Sequence, residues 1–211
     1  MQDQNISSPT LRRLPTYLNY LKSLPKDHPE NISSAVIASA LGLGEVQVRK
    51  DLACVCNKGK PKIGYIIKDL INCLEEFLGY NSTTNAVIVG AGKLGKALLD
   101  YVGFENYGLN IVAAFDKNPA LQGKTETGKN IYILDKFEEV CKRLNIKIGI
   151  ITVPAENAQE ACDLMVKNGI VAIWNFAPVH LKVPDGVIIQ HENIAASLAL
   201  LSKRLPERIN A

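Results

Sequence analysis

Apolar positions recur with helical spacing through the first third of the chain; beyond it they gather into short runs separated by helical patterns. Leu11, Leu14, Leu18, Leu21 and Leu24 return every three or four residues, which predicts a helix with one apolar side, stopped by Pro25, Asp27 and Pro29. Ser33 or Ser34 caps a short second helix through residue 40, ended by Leu41-Gly42, and Gly44 opens a third over residues 45–54. In that third helix Val48, Leu52 and Val55 share a face, and Lys50 points the opposite way, flanked by Val46, Arg49 and Ala53, with Gln47 and Cys54 nearer the edges. Residues 69–78 predict a further amphipathic helix on Leu70, Leu74 and Phe77.

The period changes after the polar cluster Asn81-Ser82-Thr83-Thr84-Asn85. Strands are expected at residues 86–89, 111–115, 148–153, 170–174 and 187–189, and helices at 96–100, 137–144, 156–166 and 193–205. Alternating strands and helices with short links predict a doubly wound parallel sheet. The chain therefore divides into residues 1–80, helical, and 81–211, α/β. The last helix, rich in Leu and Ala, has no following strand to cover and packs either on its own sheet or on a partner chain.

Composition narrows the class. The 211 residues are 47% hydrophobic and 21% charged, too apolar for a disordered chain. No run approaches the roughly 18–20 apolar residues of a membrane span. Residues 1–15 carry no signal-like apolar core. Five cysteines do not form a disulfide framework, so a reducing cytoplasm is the expected location. Cys54-x-Cys56 has the wrong spacing for CxxC chemistry, and Cys73, Cys141 and Cys162 read as core. No metal is expected.

The formal charge of +3 says little until it is located. Residues 45–68 hold Arg49, Lys50, Lys58, Lys60, Lys62 and Lys68 against Glu45 and Asp51, a local excess of four positive charges. A buried stripe with Gln, Arg and Lys opposite, preceded by a helix and a Gly-containing turn, is helix-turn-helix geometry. The glycine-flanked basic turn Gly59-Lys60-Pro61-Lys62-Ile63-Gly64 then reads as a hairpin tip, making a winged helix. Gln47, Arg49 and Lys50 have the reach to read base edges, and Val46 suits a thymine methyl. Lys60 and Lys62 at the hairpin tip suit phosphates or a narrow minor groove, and Ser33, Ser34 and Lys58 are further candidate DNA-binding residues. A protein-binding helical domain with a solvated loop is the alternative.

In the second part residues 86–89 lead straight into Gly90-Ala91-Gly92-Lys93-Leu94-Gly95 and then a helix, and a second strand ends at Asp116, 21 positions beyond Gly95. Gly90 serves the tight turn, Gly92 a close approach of pyrophosphate, and Gly95 close packing of helix on strand. The helix N-terminus faces the phosphates with free N–H groups. Asp116 accepts from the adenosine ribose hydroxyls and opposes a 2′-phosphate, favouring NAD(H) over its phosphorylated analogue, although Lys117 is adjacent. Val153-Pro154 and the loop Asn175-Phe176-Ala177-Pro178 are candidate second walls, being beyond strand carboxyl ends. An apolar pocket around Tyr101, Val153 and Phe176 would prefer the neutral nicotinamide of NADH to the cationic ring of NAD⁺. Of the three histidines only His180 lies near that loop, and it reads as structural. With no general acid/base set and no stretch of these residues left over for a substrate domain, an enzyme is not expected. A small NAD-dependent oxidoreductase remains as a rival.

These stretches in this order resemble the bacterial Rex family of redox-sensing transcriptional repressors over essentially the whole chain. The resemblance is carried by Arg13-Leu14-Pro15-x-Tyr17, Gln47-Val48-Arg49-Lys50-Asp51-Leu52, Gly64-Tyr65, the Gly90–Gly95 loop, Ala113-Ala114-Phe115-Asp116, and Asn175-Phe176-Ala177-Pro178-Val179. It implies a homodimer with swapped C-terminal helices that holds operator DNA when NADH is scarce and releases it when NADH binds. It also implies that Tyr101 lies near the nicotinamide and that Arg13 links the two domains. The family has an acidic residue where Asn193 begins the last helix, an aromatic pair and a glycine at Cys54, Val55 and Cys56, and Gly-Lys-Arg-Gly at residues 59–62. The second part is also similar to the CoA-binding domain of succinyl-CoA synthetases, which makes CoA a second ligand candidate and a CoA-binding interaction subunit a further rival.

Overall fold

A computed structural model describes residues 6–209. The chain forms two compact units, Met1–Ser82 and Thr83–Ala211, each with its own apolar core.

In the first unit, helix α1 (Ser8–Lys22) buries Leu14, Tyr17, Leu18 and Leu21, and Ser7 caps it by accepting from the Thr10 N–H. Strand β1 (Asn31–Ile32) leads to α2 (Ser34–Leu41), capped by Ser33 and ended by Gly42 in the left-handed region. Helix α3 (Glu45–Val55) follows the Gly44 turn, with Val48, Asp51 and Leu52 buried. A turn closed by Lys60 and Gly64, each N–H donating to the other's carbonyl at 2.8 and 2.9 Å, leads into β2 (Tyr65–Ile66), antiparallel to β1. A Cβ on Gly64 would stand 2.2 Å from the Ile32 carbonyl oxygen, so this approach of turn to strand requires glycine. Helix α4 (Ile67–Leu78) packs Leu70 and Leu74 into the same core as α1. Helix-turn-helix, short sheet and basic turn together make the winged helix that the pattern of residues predicts.

The second unit is a seven-stranded sheet in the order β5-β6-β4-β3-β7-β8-β9. Its strands are β3 (Thr84–Val89), β4 (Leu109–Asp116), β5 (Gly123–Lys124), β6 (Asn130–Ile133), β7 (Ile148–Ile151), β8 (Ala172–Asn175) and β9 (Ile188–His191). Neighbours run parallel except β5 with β6. Without β5 the order is that of the dinucleotide-binding sheet, and the connections reverse direction between β3 and β7. Helices α6 (Phe137–Leu144) and α7 (Ala155–Lys167) share one core with Val87, Phe115 and Ile151; α5 (Lys93–Asp100) contributes Leu99 to the other, with Ile88, Ala114 and Ile150. The final helix, α8 (Ile194–Ile209), does not bury its apolar stripe: Ile194, Leu198, Leu201 and Leu205 are each 56–67% exposed.

β6 was not expected from the sequence. It is four residues long and follows a polar stretch, and it exists because Ala113 to Asp116 of β4 offer a parallel edge to pair with.

Candidate functional site

On the first unit Val46, Gln47, Arg49 and Lys50 are all exposed along α3, opposite the buried Val48 and Leu52. Lys58, Lys60 and Lys62 are exposed in the basic turn, and Lys62 takes a left-handed backbone with φ of 65°. Ser33 accepts from the Val36 N–H at 3.2 Å, so it is the cap, and Ser34 is the first residue of α2. The exposed residues of α3 form a face opposite a side that is core.

Beneath that face lies a network the sequence reading did not anticipate. Asp51, on α3 but turned inward, accepts from Arg13 Nε at 2.7 Å, Arg13 Nη2 at 2.9 Å, the Tyr17 hydroxyl at 2.7 Å and Thr10 Oγ1 at 3.0 Å. Burial alone would raise the Asp51 pKa, but the bonds from Arg13, Tyr17 and Thr10 outweigh it and hold the carboxyl below its usual range. Burial, then the adjacent Asp51, pushes the Tyr17 hydroxyl up to about 12. Arg13 is raised chiefly by its bond to Asp51. The signal was available: an aspartate at i+3 from Val48 falls on the apolar stripe and requires partners there. Arg13, expected to link the domains, is thus engaged inside its own unit. Asn193, its expected counterpart, accepts from the Ala196 N–H at 2.8 Å and caps α8.

On the second unit the glycine loop joins β3 to α5. Gly90 has φ of 105°, and a Cβ on Gly95 would stand 1.9 Å from the Gly90 carbonyl oxygen, so both glycines are required by the protein's own packing. Gly92 differs. It has an ordinary negative φ, and a Cβ there would meet nothing within 4 Å. The empty space beside the N-terminus of α5 is what a pyrophosphate needs, so the loop fits a dinucleotide. Lys93 and Leu94 form the exposed first turn of α5, and Ala91 is buried.

Asp116 ends β4 with Oδ2 accepting from the Ala91 N–H at 2.7 Å and Oδ1 from the Asn118 N–H at 2.8 Å. It fixes the loop and keeps free lone pairs on both oxygens. A cavity of about 670 Å³ opens at the switch point, lined by Gly90, Gly92, Asp116, Lys117, Val153 and Pro154, and runs between α6 and α7. Two residues there escaped the sequence reading. Thr152 donates to the Gly90 carbonyl at 2.7 Å, and Asn157 accepts from Lys117 Nζ at 3.0 Å. A threonine at the end of an apolar strand was the visible clue to the first.

The expected grouping of Tyr101, Val153 and Phe176 in one pocket is corrected. Val153 lines the cavity, on the core that contains α6 and α7. Tyr101 and Phe176 belong to an aromatic series on the α5 side: Tyr101–Phe104, Phe104–Trp174 and Trp174–Phe176, with centroids 5.0, 6.0 and 4.4 Å apart. Sheet pleating separates them, because ligand walls beyond the strand ends fall on either side of the sheet. Asn175 is also corrected. It is fully buried and binds its own loop, accepting from the Ala177 N–H and donating to the Ala177 and Val179 carbonyls, with His191 Nδ1 at 3.1 Å. It shapes the loop and does not face a ligand. His180 packs edge-on against His191, centroids 5.0 Å apart.

All five cysteines are free thiols, with Cys56, Cys141 and Cys162 buried; burial pushes Cys141 up to about 11. Among the described residues no three potential metal ligands cluster, and no helix is long and apolar enough to cross a membrane.

Comparison with known proteins matches both units. Residues 5–53 fit the family described as "Putative DNA-binding protein N-terminus", and residues 81–179 fit "CoA binding domain". The "Redox-sensing transcriptional repressor Rex" of Treponema denticola is 45% identical over 92% of this chain and 93% of its own. That of Clostridium acetobutylicum is 39% identical over 97% and 95%. The chain belongs to the Rex family of redox-sensing transcriptional repressors.

Solved structures of the Rex family agree in fold. RSP in complex with beta-NAD⁺ and operator DNA matches 96% of this chain and 94% of its own, at a TM-score of 0.89 and 39% identity. RSP in complex with beta-NADH matches 96% and 95%, at 0.84 and 38%. The Rex relatives are named as repressors and not as enzymes, in keeping with a dinucleotide loop joined to a winged helix rather than to a substrate domain.

Proposed function

We propose that this Rex-family chain is a cytoplasmic homodimeric repressor whose residues 1–80 hold operator DNA and whose residues 81–211 sense NADH, releasing the DNA when NADH binds. The observation that carries this reading is the open space at Gly92 beside α5, in the same chain as the polar face of α3. The RSP relative, crystallised with beta-NAD⁺ and operator DNA, supports it.

The residues divide the work by chemistry. Arg49, Lys50 and Gln47 read base edges, while Lys58, Lys60 and Lys62, with the start of α2 at Ser33 and Ser34, take phosphates. The first N–H groups of α5 receive pyrophosphate, and the free lone pairs of Asp116 receive the adenosine ribose. Asp116 opposes a 2′-phosphate, and Val153, Pro154 and Asn157 border the adenine side. The nicotinamide crosses the strand ends to the Tyr101 and Phe176 side, where an aromatic surface disfavours the cationic ring. The unburied stripe of α8 is covered by the partner subunit's matching helix, because four large apolar residues on one face need a cover. Moving the dimer from 1:99 to 99:1 between arrangements requires about 5.5 kcal/mol of differential binding, and two sites per dimer share it.

A titration of the dimer on its operator with NADH, NAD⁺ and CoA in turn tests this reading. Release by NADH alone is expected; indifference to all three overturns it, and release by CoA instead favours the CoA-binding alternative. A Cβ at Gly92 meets nothing within 4 Å, so Gly92→Val places its side chain in the open space, removes the NADH response and leaves DNA binding in place.

A further inference from the structure

Gln47 has neighbours that restrict what it can read. Two bonds to Asp51, from Nε and Nη2, draw the Arg13 guanidinium of α1 against α3 and fix its plane. One terminal atom of the Gln47 amide lies 3.0 Å from Arg13 Nη1 and 3.3 Å from Nε and Nη2, and of the two ends only the oxygen carries an acceptor to set against the guanidinium. Three near-equal distances put the oxygen over the face of the guanidinium rather than along one N–H. A guanidinium is cationic and has donors only, so the amide turns its oxygen inward and its NH₂ group outward. An unrestrained glutamine pairs with adenine by accepting from N6 and donating to N7. Here the oxygen is turned toward the cation, which leaves only the NH₂ group to face a base.

We infer that Arg13, clamped by Asp51, makes Gln47 a donor-only reader that selects a base edge composed of acceptors, guanine first. Guanine presents O6 and N7 side by side in the major groove, whereas the amino groups of adenine and cytosine would face a donor. Arg13 is therefore a positioning residue acting through Gln47. The inference rests on α3 being the DNA-reading helix of the proposed function.

The test is selection from a duplex library with randomised bases using the full chain. It is followed by anisotropy titrations on duplexes that differ at the one position where Gln47→Ala erases the preference. The wild type is expected to favour guanine over adenine there by on the order of tenfold. Gln47→Glu keeps one oxygen on Arg13 and turns the other outward, moving the preference to cytosine. The double variant Arg13→Met/Asp51→Asn leaves no buried carboxylate without its cation, and it frees the amide to pair with adenine. Three results overturn the inference while leaving DNA reading by α3 intact: a wild-type preference for adenine at that position, a guanine preference that both variants retain, or no position affected by Gln47→Ala. If the wild type enriches no sequence at all, the DNA-reading assignment of α3 falls, and the inference falls with it.

Discussion

Two aspartates, one in each unit, solve the problem of a carboxylate near a protein core in different ways. Asp51 is 6% exposed at its side chain and takes four side-chain donors from α1, so its acceptor positions are filled and its charge is matched by Arg13. Asp116 is half-buried, takes one backbone N–H on each oxygen, and stands at the mouth of a cavity. A carboxylate whose capacity is filled by its own chain serves the fold. One that is half filled by rigid backbone donors keeps acceptor positions in a fixed orientation, which is the geometry that the proposed ribose contact needs.

Removing each carboxylate separates these roles. Asp51→Ala leaves a part-buried guanidinium without its counter-charge, and the first unit should lose about 3 kcal/mol in chemical denaturation, the low end for a broken buried pair, with the second unit's transition unmoved. Asp116→Ala strands the buried Ala91 N–H at a cost of about 1–3 kcal/mol. Its main effect should appear in calorimetry as NADH affinity lowered by on the order of tenfold or more, with DNA binding kept. Tyr17→Phe removes one of four donors to Asp51 and should cost the first unit about 1 kcal/mol in the same denaturation assay. The smallest effect is that of acid. The Asp51 pKa is lower in the folded chain than in the unfolded one, so its contribution is complete above the ordinary carboxylate range and lost as pH falls through the folded value. Fluorescence-detected melting between pH 6 and pH 3 should show the first unit weakening below about pH 4, and Asp51→Asn should flatten that slope. Equal acid sensitivity with and without Asp51 would contradict the assignment.

What was legible in the sequence was local. The apolar spacing of α1, α3 and α4, the caps at Ser33 and Gly42, and the strand-loop-helix around Gly90–Gly95 each depend on neighbours a few residues apart. The partners of Asp51 lie 34–41 residues away, so only the misfit of an acid on an apolar stripe announced them. The division of Tyr101 and Phe176 from Val153 depends on which side of the sheet each strand end presents, and that follows from register rather than from composition. β6 was hidden for the same reason, since its pairing partner rather than its own four residues makes it a strand. The face of α8 was legible as apolar, but which of its two expected covers it lacks in a single chain was not.

The chain's single tryptophan, Trp174, sits in the middle of the aromatic series, between Phe104 and Phe176, with its indole N–H donating to Glu192 at 3.2 Å. That placement makes the protein its own spectroscopic probe. Reduced nicotinamide absorbs where indole emits and the oxidised ring does not, so quenching of Trp174 with sensitised nucleotide emission distinguishes the two cofactor states without a label. Because Glu192 directly precedes the cap of α8, a change in the indole environment also reports on the root of that helix, in the same cuvette and at the same moment.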